Sequence, residues 1–309
     1  MAWFDQRDIV GQMPAAFRLY AAYMRLMVNR SSGMVRGGSF IHRLMSDAIR
    51  ALQLDGTAAV RLGKSTVHLD LRDPRMFWVL EEIGEFTPEA RLLEHLLAPG
   101  DTFLDLGANH GSFSLLAAQL VGSSGRVIAF EPQPRVAELL RRSFRDSGFS
   151  YARVVEVACS DSARHVDFFV PRRGSGSAGM FSRFSASGAH DVHRVRAERL
   201  DHLIDLSGLP GRVLLKVDVE GGELAALRGA VRLIEERAPT ILFELNPTSA
   251  AAAGWSPVEL MAFLGRLGYQ HFSEVECFPV MQSAEGLDLT RQRNLVAIPS
   301  SVPPARGAL

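Results

Sequence analysis

The chain is poor in lysine, poor in cysteine and without long apolar runs. Of its 34 basic residues only Lys64 and Lys216 are lysine. A skew of this kind follows genomic base composition, and a site needing positive charge alone accepts arginine as well, so each retained lysine is worth following. The two cysteines, Cys159 and Cys277, make no disulfide framework and have no metal-ligand spacing. Cys159 closes the run Val154-Val-Glu-Val-Ala-Cys159, where a thiol serves as a small hydrophobe. No apolar stretch reaches the roughly 20 residues that cross a bilayer. The N-terminus lacks the basic-then-apolar pattern of a secretory signal, so a cytoplasmic location is expected. Neither sign of charge is in excess, with 34 basic against 34 acidic residues, which gives no electrostatic footprint for nucleic acid. What is present is a 309-residue chain, 47% hydrophobic, enough for one large domain with an appendage. Nothing in the composition sets an oligomeric state.

The organisation changes along the chain. Residues 1–57 form an N-terminal extension in which Phe17, Tyr20, Ala21, Met24, Met27 and Val28 recur at helical spacing, and Phe40 to Leu52 reads as a second helix. Seven Arg against three Asp in the first 50 residues make it mildly basic. It reads as a helical cap on the main domain, with weak membrane-surface or partner contact through residues 1–52 as the other reading. From Ala58 a hairpin pattern turns at Gly63-Lys64. A helix follows from Thr87-Pro88-Glu89 to Leu97, with the cap and the first-turn proline in place. Strands are then expected at 102–106, 126–130, 153–158, 213–219, 240–245, 270–278 and 294–298. Helices at 112–121, 134–147, 223–236 and 257–267 alternate with them. This alternation predicts an α/β fold: a doubly wound, mainly parallel, seven-stranded sheet of Rossmann-like type, with its antiparallel member among the late strands. The domain spans 58–298, and the tail 299–309 is expected to be disordered.

The stretch Asp105-Leu-Gly107-Ala108-Asn109-His-Gly111 lies between an apolar run and a helix, where an open α/β sheet binds a nucleotide-like ligand. A carboxylate at Asp105 would repel a pyrophosphate but attract the sulfonium and ammonium of S-adenosylmethionine. The glycines also run G-x-N-x-G rather than G-x-G-x-x-G. Glu131, followed by Pro132, ends the next strand twenty residues after Gly111 and suits the ribose hydroxyls. Asn109 suits either the turn itself or the methionine carboxylate. Ser160 and Asp161, at the end of the third strand, are placed for the adenine amine or for ordinary turn chemistry.

Lys216-Val-Asp218-Val-Glu220 alternates ionisable and apolar residues, which on a strand sends all three charges to one face. Charges on a central strand are costly unless paired or functional, and strand carboxyl ends are where such sheets do chemistry. Asp218 is the first candidate for the base that takes an acceptor's proton, Glu220 the second, with Lys216 orienting the carboxylate or acting itself. The structural alternative is a Lys216–Asp218 ion pair with Glu220 capping the next helix. Asp218, Glu244 and Asn246 together offer oxygen ligands for a divalent cation, although a metal-free site is favoured. The irregular stretch 171–190, with Arg172, Arg173, Phe181, Arg183 and Phe184, reads as a substrate lid, and His110 and His271 are looser candidates for acceptor contact.

With these residues in hand, the chain resembles the FkbM family of S-adenosylmethionine-dependent methyltransferases. Leu104 to Gly111, Val127 to Pro132 and Leu214 to Gly221 carry the resemblance, together with Gly222 to Ala230 and the Arg199-Leu200-Asp201 element. It implies a class I methyltransferase fold, cofactor contacts from Asp105, Gly107, Asn109, Gly111 and Glu131, and a sugar, glycan or secondary metabolite as acceptor. One departure is Phe86-Thr87-Pro88, where the family often carries an acid before the proline. The expected reaction is methyl transfer to a hydroxyl. Two other readings are an NAD-linked enzyme acting on nucleotide sugars and an inactive cofactor-binding scaffold that recruits a partner through the N-terminal helices.

Overall fold

The computed structural model describes residues 9–10, 56–73, 75, 76, 79, 82, 87–171, 175–181 and 190–300. The predicted N-terminal helices lie outside these residues, as do Arg172, Arg173, Arg183, Phe184 and the tail from 301.

Strands β1 (Ile9–Val10), β2 (Thr57–Leu62) and β3 (Ser65–Asp70) form a small antiparallel sheet, β2 and β3 turning at left-handed Gly63 as the alternation predicts. Helix α1 (Pro88–Leu96) is capped by Thr87, whose Oγ1 accepts a hydrogen bond from the Ala90 amide. Thr87 thereby does the local work at the position where the family often has an acid. The main sheet is built from β4 (Thr102–Leu106), β5 (Arg126–Phe130), β6 (Ala152–Val155), β10 (Val213–Val217), β11 (Thr240–Leu245), β12 (His271–Glu274) and β13 (Arg293–Ile298). Its order is β12-β13-β11-β10-β4-β5-β6, with β13 antiparallel to both neighbours and every other pairing parallel.

This is the predicted doubly wound sheet, with β10 at its centre as expected and β4 beside it. The strands are apolar on both faces because helices cover both. One core layer joins Phe103, Val127 and Leu214 to α2 (Ser112–Val121) and α3 (Pro134–Asp146). The other joins Leu104, Phe130, Leu215 and Phe243 to α5 (Glu223–Arg228), α6 (Val231–Arg237) and α8 (Pro257–Arg266). Burial of such side chains contributes roughly 1.5–3 kcal/mol each.

Several sequence expectations change. The third strand does not run to Ala158. β6 stops at Val155, and β7 (Ala158–Cys159) joins a second sheet with β8 (Arg164–Pro171) and β9 (His190–Glu198). β8 and β9 form a long antiparallel hairpin, so 171–190 is the connection between paired strands. The helix expected over 223–236 breaks into α5 and α6 at Gly229, where a Cβ would stand 2.0 Å from the Ser160 carbonyl oxygen. The new N-terminus of α6 is capped from a distance: buried Asp201, on α4 (Leu200–Leu203), accepts the Arg232 and Leu233 amides at 3.0 Å each. That gives the Arg199-Leu200-Asp201 element a physical task. Finally, α7 (Pro247–Ala252), which the sequence reading missed, follows β11 directly. At the C-terminal end, the Ser300 amide donates to the Gly268 carbonyl at 3.0 Å.

Candidate active site

A cleft of about 680 Å³ opens at the carboxyl ends of β4, β5 and β10. Its floor is the glycine turn after β4. Gly107 and Gly111 have φ of +80° and +81°, a backbone region that favours glycine. Space adds a second reason. A Cβ on Gly107 would stand 1.9 Å from the Asp218 carbonyl oxygen, and one on Gly111 would stand 2.1 Å from Leu140 Cδ1. The first glycine therefore lets the end of β10 approach the turn, and the second lets α3 approach it. The Gly107 and Ala108 amides both donate to the Phe130 carbonyl at 3.0 Å, locking the turn to β5.

Asn109 also adopts the left-handed region, with φ of +51°. Its Oδ1 accepts the His110 amide at 2.9 Å, and its Nδ2 donates to the Ser175 carbonyl and hydroxyl at 3.1 and 3.0 Å. Asn109 is thus committed to the turn and to the segment above it. His110 is fully buried, and burial lowers its pKa. His271 is exposed on β12 at the far edge of the sheet, away from the cleft.

Glu131, only 3% exposed, lines the cleft at the tip of β5. Its two carboxylate oxygens accept the Asn109 amide at 2.8 Å and the Gln133 amide at 2.9 Å. Burial pushes its pKa up to about 7, against the downward pull of those two donors. Pro132, Phe130, Val157, Ala158 and Cys159 continue this side of the cleft as a mainly apolar wall. Cys159 is buried, which raises its thiol pKa, as expected of a small hydrophobe.

Asp105 is a correction. Its carboxylate is 0% exposed and lies beneath the turn rather than in the cleft. Ser114 Oγ donates to one oxygen at 2.6 Å, and Lys216 Nζ lies 3.4 Å from the other. A carboxylate so paired cannot be the charge that selects the ligand. Lys216 also lies 3.2 Å from Asp218 Oδ2 and stands 5.1 Å from the centroid of the Phe113 ring. Burial pulls the Lys216 pKa down, but the two carboxylates more than offset it, so the ammonium is held above its ordinary value. That removes Lys216 as a proton acceptor and leaves it the role of orienting Asp218.

The alternation along 216–220 also ends early. β10 stops at Val217; Asp218 extends it by one ladder bond, its amide donating to the Leu106 carbonyl, and Glu220 turns at φ of +51°. Asp218 and Glu220 still face the cleft. The cap on the following turn comes from buried Glu223, whose carboxylate accepts the Val219 and Gly221 amides at 3.1 Å. Burial raises the Glu223 pKa to about 8.

Ser160 and Asp161 are a further correction. Neither lines the cleft. They form a polar knot with Arg164, which donates to Asp161 at 2.9 Å and to Ser160 at 3.2 Å. They lie past the end of β7, in the second sheet. Asn246 is corrected too, because its Oδ1 accepts the Thr248 and Ser249 amides and caps α7. Glu220 takes its place in the acidic group: ligand atoms of Asp218, Glu220 and Glu244 lie within 4.8 Å of one another.

The sequence reading missed Arg75, Glu82 and Ser112. Arg75 lines the cleft and pairs with Glu82 at 2.7 Å; Glu82 also accepts the Ser112 hydroxyl at 2.5 Å. No motif surrounds Arg75 or Glu82, so only tertiary contact reveals them, whereas Ser112 directly follows the glycine turn. The roof is the described part of the 171–190 connection. Ser175, Gly176, Ala178 and Met180 line the cleft. The Ser175 amide donates to the Asp73 carboxylate, and Gly179 pairs with Phe169 on β8. Phe181, beside the roof, is half-buried.

A doubly wound sheet with a glycine turn, an acid on the next strand tip and acids at the end of the central strand defines a class I methyltransferase fold. Comparison with known proteins gives the family. Residues 105–271 match the methyltransferase FkbM domain, and the chain belongs to that family. A stretch of 230 residues is 29% identical to the AMB antimetabolite synthetase AmbE of Pseudomonas aeruginosa, covering 62% of this chain and 10% of the synthetase. A 73-residue stretch is 40% identical to a protein-L-isoaspartate O-methyltransferase of Aeropyrum pernix, covering 24% of this chain and 27% of that enzyme. The chain therefore matches well under two thirds of the length of either curated relative. Among solved structures it is similar to the methyltransferase FkbM of Methylobacillus flagellatus, at 16% identity and a TM-score of 0.43, over 94% of this chain and 85% of that one.

Proposed function

We propose that this chain transfers a methyl group from S-adenosylmethionine to an acceptor hydroxyl on a sugar, a glycan or a secondary metabolite. The observation that carries the reading is the balance of charge facing the cleft. Glu131, Asp218 and Glu220 line it, while the two cations among the described residues that line it are already matched, Lys216 by Asp105 and Asp218, and Arg75 by Glu82. Such a surface disfavours a pyrophosphate and favours a positively charged ligand. The selection first expected of Asp105 thus falls to carboxylates in the cleft. The family membership and the match to an O-methyltransferase support methyl transfer, and the stretch shared with an antimetabolite synthetase supports a secondary-metabolite acceptor.

The residues fit the donor. Glu131 is placed to accept the ribose hydroxyls, and Phe130, Val157, Ala158 and Cys159 offer an apolar bed for the adenine. Gly107 and Ala108, both small, line the floor, while Gly111 supports the turn from outside the cleft. When bound, the donor supplies an electrophilic methyl group on a positively charged sulfur. The chain must then align the acceptor and take its proton. Asp218, with its side chain 39% exposed and held by Lys216, is the proton acceptor, and Glu220 is the second choice. Asp218, Glu220 and Glu244 are the residues that would hold a divalent cation; alignment and a proton acceptor suffice without one. The free thiols of Cys159 and Cys277 suit a reducing cytoplasm.

Calorimetric titration with S-adenosylmethionine and with NAD tests the reading: the first is expected to bind and the second not, and the reverse result overturns it. Asp218→Asn is expected to lower label transfer from a methyl-tritiated donor into carbohydrate-rich extracts by about 10²–10⁴-fold, with donor affinity retained. Undiminished transfer removes Asp218 as the base.

A further inference from the structure

We infer that Arg75 is the residue that binds the α-carboxylate of the methyl donor, an inference that rests on the donor proposed above. Direction along the cleft comes first. Glu131 follows β5 and the apolar wall of Val157 to Cys159 lies beyond it, so the adenosine end points towards β5 and β6. Sheet order places β10 on the opposite side of β4, and Asp218 follows β10. The methionyl end must therefore extend towards Asp218, Phe113, Ser112 and Arg75, all of which line the cleft. Arg75 lies within electrostatic reach of Asp218.

A carboxylate arriving at that end needs a donor that is not already in use. Among the described residues there, Ser112 gives its hydroxyl proton to Glu82 at 2.5 Å. Asn109 gives its amide to Ser175. Lys216 is already engaged by two carboxylates, Asp105 at 3.4 Å and Asp218 at 3.2 Å. Arg75 differs. Both Glu82 oxygens fall on its Nη2, at 2.7 and 2.9 Å, whereas its Nε is buried and has no hydrogen-bond partner. A buried N–H of a charged guanidinium left unpaired is costly, and a ligand carboxylate would satisfy it. The position is also held firmly. Glu82 orients the guanidinium, and Gly176 in the roof packs so closely that a Cβ there would stand 2.9 Å from Arg75 Cδ.

The test compares S-adenosylmethionine with its decarboxylated analogue, which keeps the adenosine, the sulfonium and the amine. By calorimetry the unaltered protein should bind the intact donor roughly 10- to 100-fold more tightly than the analogue, the range of one charge-assisted contact. In Arg75→Met that preference should collapse, through weaker binding of the intact donor and unchanged binding of the analogue. Arg75→Lys, which keeps the charge beside Glu82, should retain part of it, and far-UV dichroism checks that both variants fold. Equal binding of the two compounds by the unaltered protein overturns the role of Arg75 and leaves the donor assignment standing. So does an equal loss for both compounds in Arg75→Met or Arg75→Lys. Binding of neither compound by the unaltered protein overturns both.

Discussion

At the scale of single residues, the site depends on groups whose charge is set by burial. Burial pushes the Glu131 pKa up to about 7, and ribose hydroxyls donate more strongly to its ionised form than to the neutral acid. Donor affinity should therefore rise from pH 6 to pH 8. Calorimetry at those pH values checks this, and in Glu131→Gln the dependence should flatten. The two turn glycines should differ in their tolerance of a side chain. Each sits at positive φ, where alanine costs about 1–3 kcal/mol. In Gly107→Ala the new methyl also meets the backbone carbonyl of Asp218 at the end of the central strand, which cannot move without the sheet. In Gly111→Ala it meets the tip of Leu140, which can rotate. Chemical denaturation should show Gly107→Ala as the more damaging of the two. Lys216→Met should cost about 3–5 kcal/mol, since it leaves the buried Asp105 carboxylate without its cation. Surface pairs such as Arg141–Glu156, half-exposed on both sides, are worth about 0–1 kcal/mol.

At the scale of elements, most boundaries follow from local chemistry that a sequence displays. Thr87, Ser256 and their following prolines start α1 and α8 where the pattern places them, with side-chain caps in both cases. Where the boundary depends on a distant residue, the sequence misleads. The break between α5 and α6 answers to the Ser160 backbone and to Asp201, 31 residues from the amide it caps. Asn246 shows the same ambiguity in reverse: its oxygen looked available for a metal and is used to cap α7. Asn246→Ala should cost about 1 kcal/mol in thermal or chemical unfolding, while Asn246→Asp, which keeps the cap, should cost little.

At the scale of the whole molecule, two buried carboxyl groups, Glu131 near pH 7 and Glu223 near pH 8, hold protons in the folded state that the unfolded chain has already released. Between pH 6.5 and 8.5 the folded state binds more protons, so stability falls as pH rises. Buried His110, whose pKa burial lowers, acts with the opposite sign as pH falls through the ordinary imidazole range. The thermal midpoint without ligand should be lower at pH 8.5 than at pH 6.5, and added S-adenosylmethionine should recover part of the difference. A flat profile would contradict the burial of both groups.

The linear order of residues was enough to establish the alternating strands and helices, the glycine turn, the acid on the neighbouring strand tip and the acids after Lys216. Each is local, written in hydrophobic period, capping residues and left-handed positions. Tertiary structure alone decided which charges face the ligand. Asp105 and Lys216 neutralise one another beneath the turn, Ser160 and Asp161 leave with a strand that changes sheet, and Arg75 and Glu82 arrive from a segment with no motif of its own. The reason is physical: burial and ion pairing depend on neighbours in space, and a sequence pattern records only neighbours along the chain.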